Sequence, residues 1–166
     1  VQPVLVGDRA RTITLLEKLG LEKEPYTMVD TAPGLNITQA AIDIVNMGEG
    51  DILMRGNIGT RQFLMPVLNK DNHLRTERIM SHVSLVSLPE YPKLLALSDM
   101  TVVIKPNLQQ KKAIIRNTAD ALKAFGYENP NLALLSLVEE VTFHMNDTVE
   151  AQRLVMEHAR TPFADC

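Results

Sequence analysis

Short apolar runs alternate with stretches whose apolar residues recur at helical spacing, and that alternation restricts the first half of the chain to a parallel α/β arrangement. Val4-Leu5-Val6 is an apolar run closed by Gly7. Asp8 then supplies an N-cap for a helix with Ile13, Leu15, Leu16 and Leu19, which Gly20 stops. Tyr26-Thr27-Met28-Val29 repeats the strand. A Pro33-Gly34 turn follows, and Asn36 caps a helix with Ile37, Ala41, Ile44 and Val45 on one face. A third round runs from Asp51-Ile52-Leu53-Met54 through Arg55-Gly56-Asn57-Ile58-Gly59-Thr60 into a helix carrying Phe63, Leu64, Val67 and Leu68. The fold class is therefore α/β, a parallel sheet with flanking helices, because parallel neighbours need crossovers long enough to hold a helix.

From Arg78 the pattern changes. Ile79 to Leu88 reads as an extended strand, Pro89-Glu90-Tyr91-Pro92 as a turn, and Leu94 to Leu97 with Thr101 to Ile104 as further strands, which together predict antiparallel pairing. Pro106-Asn107 opens a long helix with Leu108, Ile115, Leu122 and Phe125 on one stripe, ended by Gly126. An apolar strand from Leu132 to Leu137 and a last helix from about Thr148 to Ala159 complete the chain. The expected division is residues 1–75, part of a first α/β domain, and residues 76–166, part of a second α/β domain with an antiparallel hairpin. With Val at the first position and Thr161-Pro162-Phe163 near the last, the chain is read as a fragment of something longer.

Composition narrows the function. Lys and Arg number 17 against 20 Asp and Glu, a net charge of -3 with no basic run, which argues against nucleic acid as a partner. The single cysteine, Cys166, allows neither an internal disulfide nor a cysteine-based metal cluster, and points to a reducing cytoplasm. Apolar stretches end well short of the ~20 residues a membrane helix needs, and the first residues lack the basic-then-apolar pattern of a signal peptide.

Two segments could carry chemistry. Met54-Arg55-Gly56-Asn57-Ile58-Gly59-Thr60 joins a strand end, two glycines and a helix start. It reads either as a plain β-α turn or as an anion site built on backbone amides and Arg55. The G-x-x-G spacing matches neither the Walker loop nor the dinucleotide fingerprint. The run Arg75-Thr76-Glu77-Arg78, followed by Ser81-His82, places two guanidinium groups and an imidazole at the expected boundary. Either they line an anion-binding cleft, or the arginines pair with carboxylates on a solvated loop and His82 is structural. Glu139-Glu140 has the adjacency of residues facing opposite ways, and His144 and His158 lack partners at metal-ligand spacing, so no metal site is predicted.

Beyond these local readings, the ordered set Asp51-Ile-Leu-Met-Arg-Gly, Thr60, Val67-Leu68-Asn69-Lys70 and Leu74-Arg75-Thr76-Glu77-Arg78-Ile79-Met80-Ser81-His82-Val83 resembles the phosphate acetyltransferase and phosphate butyryltransferase family, closest to its butyryl or branched-chain branch. The likeness continues through Leu95-Ala-Leu-Ser-Asp99, Ile104-Lys-Pro-Asn107-Leu108-Gln-Gln-Lys111 and Leu132-Ala-Leu-Leu-Ser-Leu-Val-Glu139. The resemblance implies an isocitrate/isopropylmalate-dehydrogenase-like α/β fold, a homodimer, and transfer of a short or branched acyl group between coenzyme A and inorganic phosphate. Coenzyme A and phosphate would be substrates, with no tightly bound cofactor. It implies Arg55, Gly56, Asn57, Thr60, Arg75, Ser81 and His82 as substrate-binding residues. The family's carboxylate base and Ser-Arg pair fall beyond Cys166, so the catalytic residues are unassigned here.

Two departures bear on activity. Aligning on Thr60 and Pro66 puts Met65 where the family carries an arginine and Gly59 where it carries a histidine; Arg61 lies one helical turn before Met65. Losing a guanidinium from a phosphate site removes charge-assisted bonds worth ~1.5–3 kcal/mol each. Arg55 replaces the usual lysine and Asn107 the usual aspartate. The alternatives are a diverged, non-catalytic coenzyme A or acyl-phosphate-binding homologue, and a metal- and nicotinamide-dependent dehydrogenase of the same fold.

Overall fold

The computed structural model describes residues 1–31 and 35–166, so the expected Pro33-Gly34 turn lies outside the described residues. The chain divides into two compact units, Val1–Glu77 and Arg78–Cys166.

The first unit contains β1 (Val4–Gly7), α1 (Arg9–Leu19), β2 (Thr27–Asp30), α2 (Ile37–Asn46), α3 (Thr60–Leu68) and a 3₁₀ turn over Lys70–Asn72. β1 and β2 pair in parallel, Val4 opposite Thr27 and Gly7 opposite Asp30. The caps follow the sequence. Asp8 accepts from the Arg11 N–H at 2.7 Å. Gly20, at φ 67°, takes the left-handed conformation that lets the Leu21 N–H reach the Leu16 carbonyl at 2.9 Å. Asn36 accepts from the N–H groups of Thr38 and Gln39. On α2, Ile42 is fully buried, and Thr38 one turn earlier is buried with it.

The third strand expected at Asp51–Met54 does not form: this segment pairs with no strand among the described residues, and Ile52 and Met54 are 79% and 88% exposed. An apolar run becomes a strand only where a second strand takes its backbone groups.

The second unit contains β3 (Ser84–Leu88), β4 (Tyr91–Leu97), α4 (Leu108–Ala124) and α5 (Asn146–Arg160). β3 and β4 are antiparallel, with Ser84 opposite Leu97 and Leu88 opposite Tyr91, so the turn is only Pro89-Glu90 and the pairing is irregular between Val86 and Leu88. Three expected strand stretches are corrected. Residues 79–83 stay outside β3 because the His82 N–H donates to the Asp99 carboxylate and not to a ladder. Residues 101–104 stay outside any strand because Thr101 and Val102 donate their N–H groups to the other oxygen of Asp99. Leu132–Leu137 has no strand partner, and Leu135 and Leu137 are solvent-exposed.

The core of this unit is the face of α4 carrying Ile114, Ile115, Ala119 and Leu122, together with Leu154 of α5. Ile115 and Leu122 belong to the expected stripe, whereas Phe125 caps the helix end and is mostly exposed. Lys111 and Glu150 tie the two helices at 2.8 Å, and Asn107 with Gln110 forms a reciprocal cap at the start of α4. Among the described residues no helix is long and apolar enough to cross a membrane.

Candidate functional site

In the first unit the candidate residues gather at the start of α3. Gly59, its N-cap, has no side chain to cap with, so the first-turn amides carry no side-chain acceptor. Gln62 instead folds back to accept the Gly59 N–H at 3.3 Å. Arg55 reaches across this turn and donates from Nη1 to Thr60 Oγ1 at 2.6 Å. That bond occupies one acceptor site on the hydroxyl and leaves its proton to donate elsewhere, so a guanidinium, a hydroxyl donor and open helix amides meet at one exposed corner. Gly56 and Asn57 lie in the exposed loop between Arg55 and Thr60.

α3 is held in place by polar groups that answer a defect in its own sequence. Pro66 sits inside the helix and has no N–H, which leaves the Gln62 carbonyl without its usual donor. The buried Thr38 hydroxyl of α2 supplies one at 3.2 Å. Buried Asn72 donates to the Pro66 carbonyl at 2.8 Å and exchanges reciprocal amide bonds with Gln39. Asn46 in turn donates to the Asn72 carbonyl.

Arg75 is not at this corner. It folds back to donate to the carbonyl of Leu68, at the opposite end of α3, about 12 Å along the axis for nine residues. Met65 lies on α3 at 61% exposure, with Arg61 also exposed one turn earlier.

In the second unit Ser81 and His82 stand in a segment held by side chains. Asn117 of α4 donates to the Ile79 carbonyl and to Ser81 Oγ, each at 2.9 Å. One turn further along α4, Asp120 pairs with Arg78. Asp99 accepts from His82 N at 3.1 Å with one oxygen and from Thr101 and Val102 N at 2.9 Å with the other. Burial alone would push the Asp99 carboxyl up, but backbone N–H bonds from Val102, Thr101, His82 and Val103 outweigh it and hold the group below the ordinary carboxylate value of 3.8. Nδ1 of His82 is shielded from solvent and has no protein partner.

Asn117, Asp99 and Asp120 were not readable as site residues in the sequence. The only signal for the first and last was their i, i+3 spacing on a helix. A separate groove of about 430 Å³ along α4 and α5, lined by Lys112, Arg116, Glu157 and Phe163, contains none of the expected site residues. Among the described residues no three His, Cys, Asp or Glu side chains come together as a metal site would require.

The fold is that of a solved α/β protein, a branched-chain phosphotransacylase from Enterococcus faecalis V583, with a TM-score of 0.80 over 99% of this chain and 66% of that one, at 24% identity. Residues 6–162 match the family described as phosphate acetyl/butaryl transferase. The chain belongs to that family. It is 31% identical to the phosphate butyryltransferase of Clostridium acetobutylicum over 98% of this chain and 54% of the relative. It is 30% identical to the phosphate acetyltransferase of Thermotoga maritima over 99% of this chain and 56% of the relative. The chain thus spans about half the length of the curated relatives it matches.

Proposed function

We propose that the full-length protein transfers a short or branched acyl group between coenzyme A and inorganic phosphate. The observation that carries this reading is the Arg55–Thr60 corner at the uncapped start of α3, in a chain belonging to a phosphate acyltransferase family. A phosphate or acyl-phosphate oxygen there would meet a guanidinium, a hydroxyl donor and the positive end of the helix, each favouring an acceptor-only dianion. Within the second unit, Ser81 offers a hydroxyl and His82 an imidazole whose shielded Nδ1 has no protein partner, and both suit a substrate that brings acceptors and donors of its own. Arg75 is held on α3 and joins this corner only by leaving Leu68.

In this reading the thiolate of coenzyme A attacks the carbonyl carbon of the acyl phosphate. The carbon–sulfur bond forms as the carbon–oxygen bond to phosphate breaks, and the phosphate carries the electron pair away. The thiol proton passes to a carboxylate supplied from beyond Cys166. The residues of this chain bind, orient and stabilise the charge that develops on the oxyanion and the leaving phosphate. The proposal extends to an isocitrate/isopropylmalate-dehydrogenase-like architecture, a homodimer and a cytoplasmic location, with no tightly bound cofactor.

The test is phosphate-dependent thiol release from acetyl-, butyryl- and isobutyryl-coenzyme A by the full-length protein. Arg55→Ala is expected to cut the rate at low phosphate by about 10- to 100-fold, the loss of one charge-assisted contact. Thiol release that does not depend on phosphate overturns the proposal. The Met65 and Gly59 departures favour a second reading, a homologue that binds without turnover; calorimetric binding of coenzyme A with no thiol release identifies it.

A further inference from the structure

We propose that Asn117 of α4 is a positioning residue that turns Ser81 into a hydroxyl donor for the anionic substrate. This rests on the reading of Ser81 as a substrate-binding residue. The orientation of the Asn117 amide follows from its partners: the Ile79 carbonyl can only accept, so the NH₂ group must face it. The same nitrogen then spends its second hydrogen on Ser81 Oγ. A serine hydroxyl has one proton and two acceptor sites, and one acceptor site is filled by Asn117. Its proton is left for another acceptor than Asn117, and no hydrogen bond from this hydroxyl to a protein acceptor is seen among the described residues. A hydroxyl prepared in this way suits a ligand that offers only acceptors, as a phosphate or acyl-phosphate oxygen does.

The surroundings make this a dedicated arrangement. Residues 79–82 belong to no strand, so their positions depend on side chains. Asp120 holds Arg78 from the same face of α4, one turn beyond Asn117. Asp99, in the segment after β4, holds the His82 N–H. Asn117 is the member of this set that fixes a hydroxyl side chain directly.

The experiment is a double-mutant cycle on the phosphate response of thiol release from butyryl-coenzyme A by the full-length protein. Ser81→Ala and Asn117→Ala are each expected to raise the phosphate KM about tenfold, with kcat within threefold and the coenzyme A ester's KM unchanged. The double variant is expected to be no worse than Ser81→Ala alone, because Asn117 acts through that hydroxyl. Asn117→Asp, of the same size but without the NH₂ group, repeats the loss and carries the cycle if the alanine variant fails to fold. Phosphate affinity by calorimetry gives the same cycle where turnover is absent. Additive losses, or a normal phosphate response in Asn117→Ala beside a weakened one in Ser81→Ala, overturn the inference and leave the Ser81 reading standing. An unchanged phosphate response in Ser81→Ala, or no phosphate binding by the unmodified protein, overturns both.

Discussion

Thr38→Val tests whether a proline defect in α3 is repaired from α2. The substitution keeps the side-chain shape and removes the hydroxyl that donates to the Gln62 carbonyl at 3.2 Å. Thr38 is 3% exposed, so the hydroxyl's loss leaves the Gln62 carbonyl without that donor in a shielded setting. Leaving such a group unsatisfied costs about 1–3 kcal/mol, and the added methyl returns part of that, for an expected net loss of about 1–2 kcal/mol. With a urea slope of about 1–3 kcal/mol per molar, the midpoint falls by roughly 0.5–1.5 M. The chain has no tryptophan, so circular dichroism is the natural probe. The discriminating background is Pro66→Ala. An alanine N–H at position 66 faces the Gln62 carbonyl as the ordinary helical donor, making the Thr38 hydroxyl redundant. There the same valine substitution is expected to cost less than about 0.5 kcal/mol. Equal costs in both backgrounds would refute the reasoning, since the hydroxyl would then act on something other than the orphaned carbonyl.

A Cβ at Gly56 meets nothing within 4 Å and the residue's backbone is not left-handed, so Gly56→Ala is expected to leave the melting temperature unchanged or slightly raised, and any rise in phosphate KM reports close approach of ligand to the main chain. Met65→Arg adds a guanidinium at an exposed position on α3, one turn from Arg61; about tenfold tighter phosphate response with unchanged stability is the expected result, and no change in phosphate KM counts against a phosphate contact there. Asp99→Asn is expected to cost about 1–2 kcal/mol near neutral pH by weakening the bonds to Thr101, Val102 and His82. Because the folded carboxyl ionises below its ordinary value of 3.8, its stabilisation is complete above about pH 4–5 and disappears as pH falls through the lower folded value. Urea midpoints of the two proteins should therefore draw together as pH falls below 3.8; a gap that does not narrow with acidification contradicts the assignment.

The helices were legible because their signals are local. Asp8, Asn36 and Asn107 each make the cap bond their residue type predicts, and Gly20 ends α1 in the left-handed turn that glycine favours. Strands were legible only in part. Val4–Gly7 and Thr27–Asp30 found each other, whereas Asp51–Met54 and Leu132–Leu137 have strand composition and no pairing among the described residues. Apolar patterning says which residues avoid water; a ladder also needs a second chain segment at the right distance, and that is not written in the run itself. Arg55 and Thr60 meet at the turn the sequence singles out, whereas nothing in the spacing of Arg75 reveals the Leu68 carbonyl it reaches.

Asp99 explains why the strand reading failed where the chemistry is expected. One short carboxylate takes the N–H groups of His82, Thr101 and Val102, bonds that two strands would otherwise have used in a ladder. Asp side chains compete in this way with secondary structure wherever a turn brings amides within reach. The stretches flanking β3 and β4 are thereby released from the sheet, and the first of them carries Ser81 and His82. A residue inside a ladder has its main chain set by the partner strand and its side chain bound to one face. Ser81 instead has its hydroxyl oriented by Asn117, and His82 keeps a shielded ring nitrogen without a protein partner. Local strand preference and these polar bonds conflict at Ser81 and His82, and the side-chain bonds of Asp99 and Asn117 decide the outcome against the strand.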